Sequence, residues 1–189
     1  MVMMSGGVDS SVAAAMLQEQ GHDVTGVTLK LWGGVSDSGC CSVSDVEDAR
    51  RVAAQLGIPH YVFNFSDAFD ANVVAPYVEA YAAGTTPNPC VECNRTMKFG
   101  RLFARAMQLG YDAVATGHHA RVVAAPAGLA IGRGADRAKD QSYVLYMLGA
   151  AELACTLLPV GEITKAEVRA RAAALDLRTA AKAESMDVC

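Results

Sequence analysis

Two short stretches hold most of the residues that could do chemistry. The first, Ser5-Gly6-Gly7-Val8-Asp9-Ser10-Ser11, follows an apolar start at Met1 to Met4 and opens a helical pattern. Two glycines let a backbone approach a ligand closely. The helix start adds unpaired N–H groups and a positive dipole end, a setting for an anion. Ser10 and Ser11 add hydroxyl donors, and phosphate is the anion that suits the set best. Asp9 would repel phosphate unless a cation lies between them, which points to Mg²⁺ carried with a nucleotide. No Gly-Lys-Ser/Thr follows, and the spacing is not Gly-x-Gly-x-x-Gly, so neither familiar nucleotide fingerprint applies. A plain strand-to-helix turn, with Ser and Asp as caps, is the competing reading.

The second stretch is Thr86-Pro87-Asn88-Pro89-Cys90-Val91-Glu92-Cys93-Asn94. Its prolines fix an extended approach, and a helix follows at once. Cys93 falls near the start of that helix, where the dipole lowers a thiol's pKa, and Arg95 and Lys98 add positive charge, so it can serve as a nucleophile. Cys90 and Cys93 also form a CxxC. A four-cysteine zinc site wants a second close pair, and the adjacent Cys40-Cys41 is poorly spaced for one. An iron–sulfur site on Cys90, Cys93 and Cys189 is the stronger metal reading. Cys155, in an apolar stretch, reads as a core residue.

These stretches need a scaffold. At 189 residues the chain is the size of one domain. With 52% apolar and 19% charged residues it is not a disordered chain. No apolar run reaches the roughly 18 residues of a membrane span, and a Gly-Gly turn comes too early for a signal peptide, so the expected location is cytoplasmic. A net charge of −4 argues against a purely charge-driven nucleic-acid binder, but leaves room for a local basic face. Strands are expected at the chain start, at Val24 to Leu31, at His60 to Phe65 and at Asp112 to Thr116. Helical stripes lie between them: Val8, Val12, Ala15 and Met16; Val46, Ala49, Ala53 and Leu56 behind a Ser44–Glu47 capping box; Phe99, Leu102, Phe103, Ala106 and Met107. A last helix, capped by Thr164 with Glu167, carries Val168, Ala172 and Leu175. Ala120 to Gly134 reads as a hairpin. Alternating strands and helices imply an α/β fold, a doubly wound and mostly parallel sheet with helices on both faces, whose ligands sit beyond the C-terminal strand ends.

The first stretch resembles the PP-loop of ATP pyrophosphatases, which adenylate a substrate and release pyrophosphate. With TPNPCVECN, Gly39-Cys40-Cys41-Ser42, Ala115-Thr116-Gly117-His118, Lys139-Asp140-Gln141-Ser142-Tyr143, Pro159-Val160-Gly161-Glu162 and Glu184 to Cys189, the whole chain is similar to the tRNA-specific 2-thiouridylase family. That family makes 2-thiouridine at the wobble position of the tRNAs for Lys, Glu and Gln. The resemblance implies that Met3, Met4, Ser5, Gly6, Gly7, Val8, Asp9, Ser10 and Ser11 bind ATP, with Leu29 and Gly117 against the nucleotide. It implies that Asn88, Pro89 and Cys90 lie against the target base and that His118, Lys139, Asp140 and Gln141 meet tRNA. Cys93 would be the nucleophile, Cys189 would carry a persulfide from a sulfur-relay protein or cysteine desulfurase, and the two would end as a disulfide. ATP and Mg²⁺ are the implied cofactors, and a [4Fe–4S] cluster on Cys90, Cys93 and Cys189 is the alternative. Some members have Asp where Cys90 stands, which leaves the role of Cys90 open. Residues 1–189 are then the PP-loop catalytic domain, apparently truncated before the family's central and C-terminal β-barrel domains.

By themselves, His118-His119 and Lys139-Asp140-Gln141 read as structural turns, and Asp45, Glu47 and Asp48 as acids favoured by a helix start. Trp32 reads as a packing anchor.

Overall fold

The computed structural model describes residues 1–31 and 42–183. Five strands form one parallel sheet in the order β3-β2-β1-β4-β7. They are β1 (Val2–Met3), β2 (Gly26–Lys30), β3 (His60–Asn64), β4 (Val114–Ala115) and β7 (Thr156–Leu157). The doubly wound reading holds: strand order reverses between β1 and β4, and the crevice of such a sheet opens there. β1, β4 and the edge strand β7 are each only two residues long. That length is why β7 carries no visible alternation in the sequence. The hairpin β5 (Ala120–Ala125) and β6 (Gly128–Arg133) forms its own antiparallel sheet.

One face of the sheet is covered by α1 (Val8–Glu19), α2 (Val43–Leu56) and α8 (Lys165–Ala174), whose Val12, Val52 and Val168 are buried in one cluster. α1 is more deeply buried than a single stripe predicts: Val8 and Ser10 to Ala15 are all buried, whereas Met16 is only partly so. The cap of α2 is two residues earlier than the sequence suggests. Ser42 accepts from the Asp45 N–H at 3.2 Å, and Asp45 accepts from the Ser42 N–H at 3.1 Å. Asp therefore plays the part usually taken by Glu or Gln. The Thr164–Glu167 box is present as expected, but Leu175 caps the helix at 37% exposure and Leu177 packs inward instead. Cys155 is half-buried rather than a core residue.

The other face carries two composite helices. In the first, α3 (Ser66–Phe69) and α4 (Ala75–Ala82) flank a π-helical stretch, Asp70–Val74. In the second, α5 (Pro89–Glu92) and α6 (Phe103–Gln108) flank a longer one, Cys93–Leu102. Wide winding there buries Cys93, Met97, Leu102 and Ala106 on one side, against Leu29, Phe69 and Val73. A third cluster, with Phe99, Leu145 and Leu153, underlies the hairpin; α7 (Ala150–Ala154) closes it.

Candidate functional site: a nucleotide loop with its own counter-ion

The turn after β1 and the turn after β4 meet at the strand-order reversal. Gly6 has φ +73°, and a Cβ there would lie 2.2 Å from the Asp45 carbonyl oxygen. Only glycine lets the first turn of α2 close down on this loop. A Cβ on Gly117 would lie 2.6 Å from the Ser10 backbone N. The Thr116–His119 turn therefore rests directly on the start of α1. Gly7 caps α1 with no side chain bonded to its first N–H groups, which leaves them for an anion. The Ser11 hydroxyl donates to the Gly7 carbonyl at 2.8 Å, and Ser10 does so at 3.1 Å while accepting from the Ser5 N–H. Both hydroxyls brace the loop from inside, and Ser5 is the exposed one. Met3 and Met4 lie in the cores on opposite faces of the sheet, and the Leu29 side chain is buried with Met3.

The sequence demanded a cation beside Asp9, and the fold provides one. Lys165 Nζ, at the start of α8, is 2.6 Å from Asp9 Oδ2, and His119 Nε2 is 3.0 Å from Oδ1. Burial opposes ionisation of Asp9, but the hydrogen bonds from His119 and Lys165 outweigh it and hold the carboxyl below its usual range. Each Asp9 oxygen thus has a protein partner in this arrangement. Lys165 was invisible in the sequence: it stands 156 residues from Asp9, at a position whose only local signal is a helix start. His119, only 2% exposed, was noticed merely as half of a pair.

The neighbouring turns are tied to this centre. The Gln141 side chain accepts from the His119 N–H at 3.0 Å, and the Gln141 N–H donates to the His119 carbonyl at 2.9 Å. Asp140 accepts from the Gly134 N–H and from both the N–H and the hydroxyl of Ser142. These two side chains hold the turn in shape; Lys139 is exposed. His118 Nδ1 lies 2.7 Å from Thr116 Oγ1. Desolvation, with Lys98 second, pushes its imidazole down to about 3, so it is neutral at physiological pH. Phe99, from the stretch that carries Cys93, packs in one cluster with Ala120, just beyond this turn.

At that helix, Asn88 caps α5, its Oδ1 accepting from the N–H groups of Cys90 and Val91. Pro89 sits at its first position and is buried. Cys93 lies just past the first turn and is 3% exposed. Arg95 is ion-paired with Glu92, which offsets its charge. Asn94, next to Cys93, is 2% exposed, and its Oδ1 is enclosed with no hydrogen-bond partner. Cys93 packs with Met97 and Phe69, whereas Cys90 packs against the cluster under the hairpin. Among the described residues no group of three His, Cys, Asp or Glu side chains could hold a metal ion. Cys189, Cys40 and Cys41 lie outside the described residues.

Fold and site together define a doubly wound α/β protein whose PP-loop-like turn sits at the strand-order reversal. NMN synthetase from Francisella tularensis has the same fold, with a TM-score of 0.57, 22% identity, and coverage of 97% of this chain and 64% of that one. The U34-tRNA thiolase NcsA from Methanococcus maripaludis, solved with its [4Fe-4S] cluster, gives 0.59 at 18% identity, covering 99% and 59%. The chain belongs to the tRNA methyl transferase HUP domain family, whose model matches residues 1–189. Two relatives bearing the name tRNA-specific 2-thiouridylase MnmA, from Roseiflexus sp. (strain RS-1) and Chloroflexus aggregans, are each 54% identical over the whole of this chain. The chain spans 57% and 54% of their respective lengths. No helix among the described residues is long and apolar enough to cross a membrane.

Proposed function

We propose that this chain is the nucleotide-binding and thiol-bearing part of an enzyme that 2-thiolates the wobble uridine of tRNA at the expense of ATP. The observation that carries the reading is the 54% identity with 2-thiouridylases along the full chain. Geometry alone supports a nucleotide site without choosing the group transferred, and the family's description speaks of methyl rather than sulfur. A buried cysteine in the core cluster that includes Met3, just before the loop, favours sulfur.

In this reading the free N–H groups at the start of α1 take the ATP phosphates. Lys165 neutralises Asp9 beneath them and leaves the loop fit for an anion. The uridine O2 attacks the α-phosphate, and pyrophosphate leaves. Adenylation turns a poor leaving oxygen into a good one. Cys189 receives a persulfide from a relay protein or desulfurase. The Cys93 thiolate attacks its inner sulfur, a Cys93–Cys189 disulfide forms, and hydrosulfide is released. Hydrosulfide displaces AMP at C2, and two electrons from an external thiol restore the cysteines. Neutral His118 is suited to hydrogen-bond a base or ribose without adding charge.

The test is anaerobic thiolation by the full-length protein, with ATP, Mg²⁺, sulfide donor and tRNA, read by nucleoside mass spectrometry with iron assayed in the same sample. Iron-free protein is expected to make 2-thiouridine, and Cys93→Ser to make none while binding ATP normally. Product formed only by iron-loaded protein, or formed by Cys93→Ser at the wild-type rate, overturns the scheme.

A further inference from the structure

An open groove of about 500 Å³ runs between the edge strand β3 and helix α6, away from the loop and thiol already described. Its walls are Val62, Phe63, Asn64 and Phe65 on one side and Arg101, Ala104, Arg105 and Gln108 on the other. Phe63 and Phe65 are half-buried, with ring centroids 6.1 Å apart. Arg101 and Arg105 are exposed, and neither makes a hydrogen bond or ion pair among the described residues. By contrast, Arg95 on the same composite helix is paired with Glu92. Lys30 stands opposite Asn64 in the strand register and is exposed as well. A second section of similar volume continues past Phe63 and Arg105 toward Asp23 and Asp112, so Arg105 borders both sections and the acids lie at the end away from Arg101.

In a chain of net charge −4, two unpaired guanidinium groups on one groove mark a place for an anion. Aromatic side chains beside them, with Asn and Gln amides, make a surface on which an unstacked base rests while its phosphate meets arginine. β3 ends at Asn64, and its C-terminal end lies at the same pole of the parallel sheet as the loop after β1. A strand of RNA whose target base lies at Cys93 can therefore reach the groove on one side of the molecule.

We propose that this groove is a single-stranded RNA subsite, taking one nucleotide of the substrate with its base on Phe63 and Phe65 and its phosphate between Arg101 and Arg105. It rests on the reading of tRNA as substrate, and extends that reading to a surface outside the reacting centre. The probe is a fluorescein-labelled anticodon stem-loop RNA titrated into full-length protein across a salt series. The double change Arg101→Ala with Arg105→Ala is expected to weaken binding about tenfold or more. It should also reduce the slope of log affinity against log salt by about 0.7, one single-strand phosphate contact. Phe65→Leu keeps the apolar filling of the strand edge and is expected to lose about tenfold by removing the stacking face. ATP binding and the thermal transition stay as in wild type in both. Unchanged affinity and slope in the arginine variant overturn the subsite, whether or not 2-thiouridine is made. So does a wild-type dimer that these changes dissociate with RNA binding intact, since the groove is then a contact between copies. Loss of RNA binding in a protein that makes no product sustains the groove and refutes thiolation instead.

Discussion

Replacing Lys165 by Met tests whether the cation under the nucleotide loop is a structural counter-ion of Asp9. Met keeps the unbranched stem and removes the charge. In the wild type Lys165 Nζ and Asp9 Oδ2 are 2.6 Å apart, with 11% and 29% of their side chains exposed. Breaking a buried pair by removing one partner costs about 3–5 kcal/mol. Asp9 keeps some water and its bond to His119, so the cost falls at or below the lower end of that range, about 2–3 kcal/mol. Asp9→Asn leaves Lys165 charged at 9% residue exposure and should cost a similar amount. The double variant should cost less than the sum of the two, with a coupling of about 1.5 kcal/mol or more, as expected for groups in direct contact. The pH dependence has a definite sign. Asp9 has a depressed folded pKa, so its contribution is present above the unfolded carboxyl value near 4 and is lost as pH falls through the folded one. Lys165→Met should remove part of that acid-limb loss. Urea unfolding of the four proteins at neutral pH and near pH 3 measures all of this. Additive single changes, with a coupling under about 0.5 kcal/mol, would refute the counter-ion argument and leave Lys165 as a surface contact.

Three further outcomes are expected. Gly117→Ala places a Cβ 2.6 Å from the Ser10 N; restoring an ordinary contact moves the turn by about 0.8 Å, at about 1–3 kcal/mol, with ATP affinity falling at least tenfold. Full stability with unchanged calorimetric ATP binding would sink that estimate. His118, held at about 3 in the folded chain, takes up a proton near 6.5 when unfolded, so stability falls as pH drops between those values, by about 2 kcal/mol at about pH 5. His118→Asn should flatten that slope in denaturation at two pH values, and an unchanged slope would show the ring to be solvated. Asn94→Leu removes an enclosed, unpaired Oδ1 and should raise stability by about 1 kcal/mol while lowering thiolation at least tenfold. A destabilised or fully active variant counts against a role for that amide beside Cys93.

What the sequence reveals follows the range of the forces involved. The Thr164–Glu167 box and the hairpin are local patterns, and each is found where the residues place it. The loop at Ser5 to Ser11 is legible because its glycines do local work. The Ser42–Asp45 box was displaced because Ser44–Glu47 offers the same spacing with commoner residue types. β7 was missed because a two-residue strand has no period to read. The π-helical winding at Cys93 to Leu102 leaves no local mark either, since burial every four or five residues resembles an ordinary stripe. Lys165 and the bracing of His119 by Gln141 are long-range contacts, fixed only once the sheet has brought chain ends together.

The wide winding of Cys93–Leu102 also makes chain length, rather than residue type, the setting that aims the thiol. Each residue advances an ordinary helix by about 100°. Loss of one residue from this stretch would let it tighten to common winding with every remaining hydrogen bond made. The segment before it would then turn by about that angle relative to α6. Cys93 would swing out of the cluster it shares with Met97 and Phe69, while α6 stayed seated on the sheet. A single-codon deletion here would thus act as a rotary fault, read in the direction a sulfur atom faces.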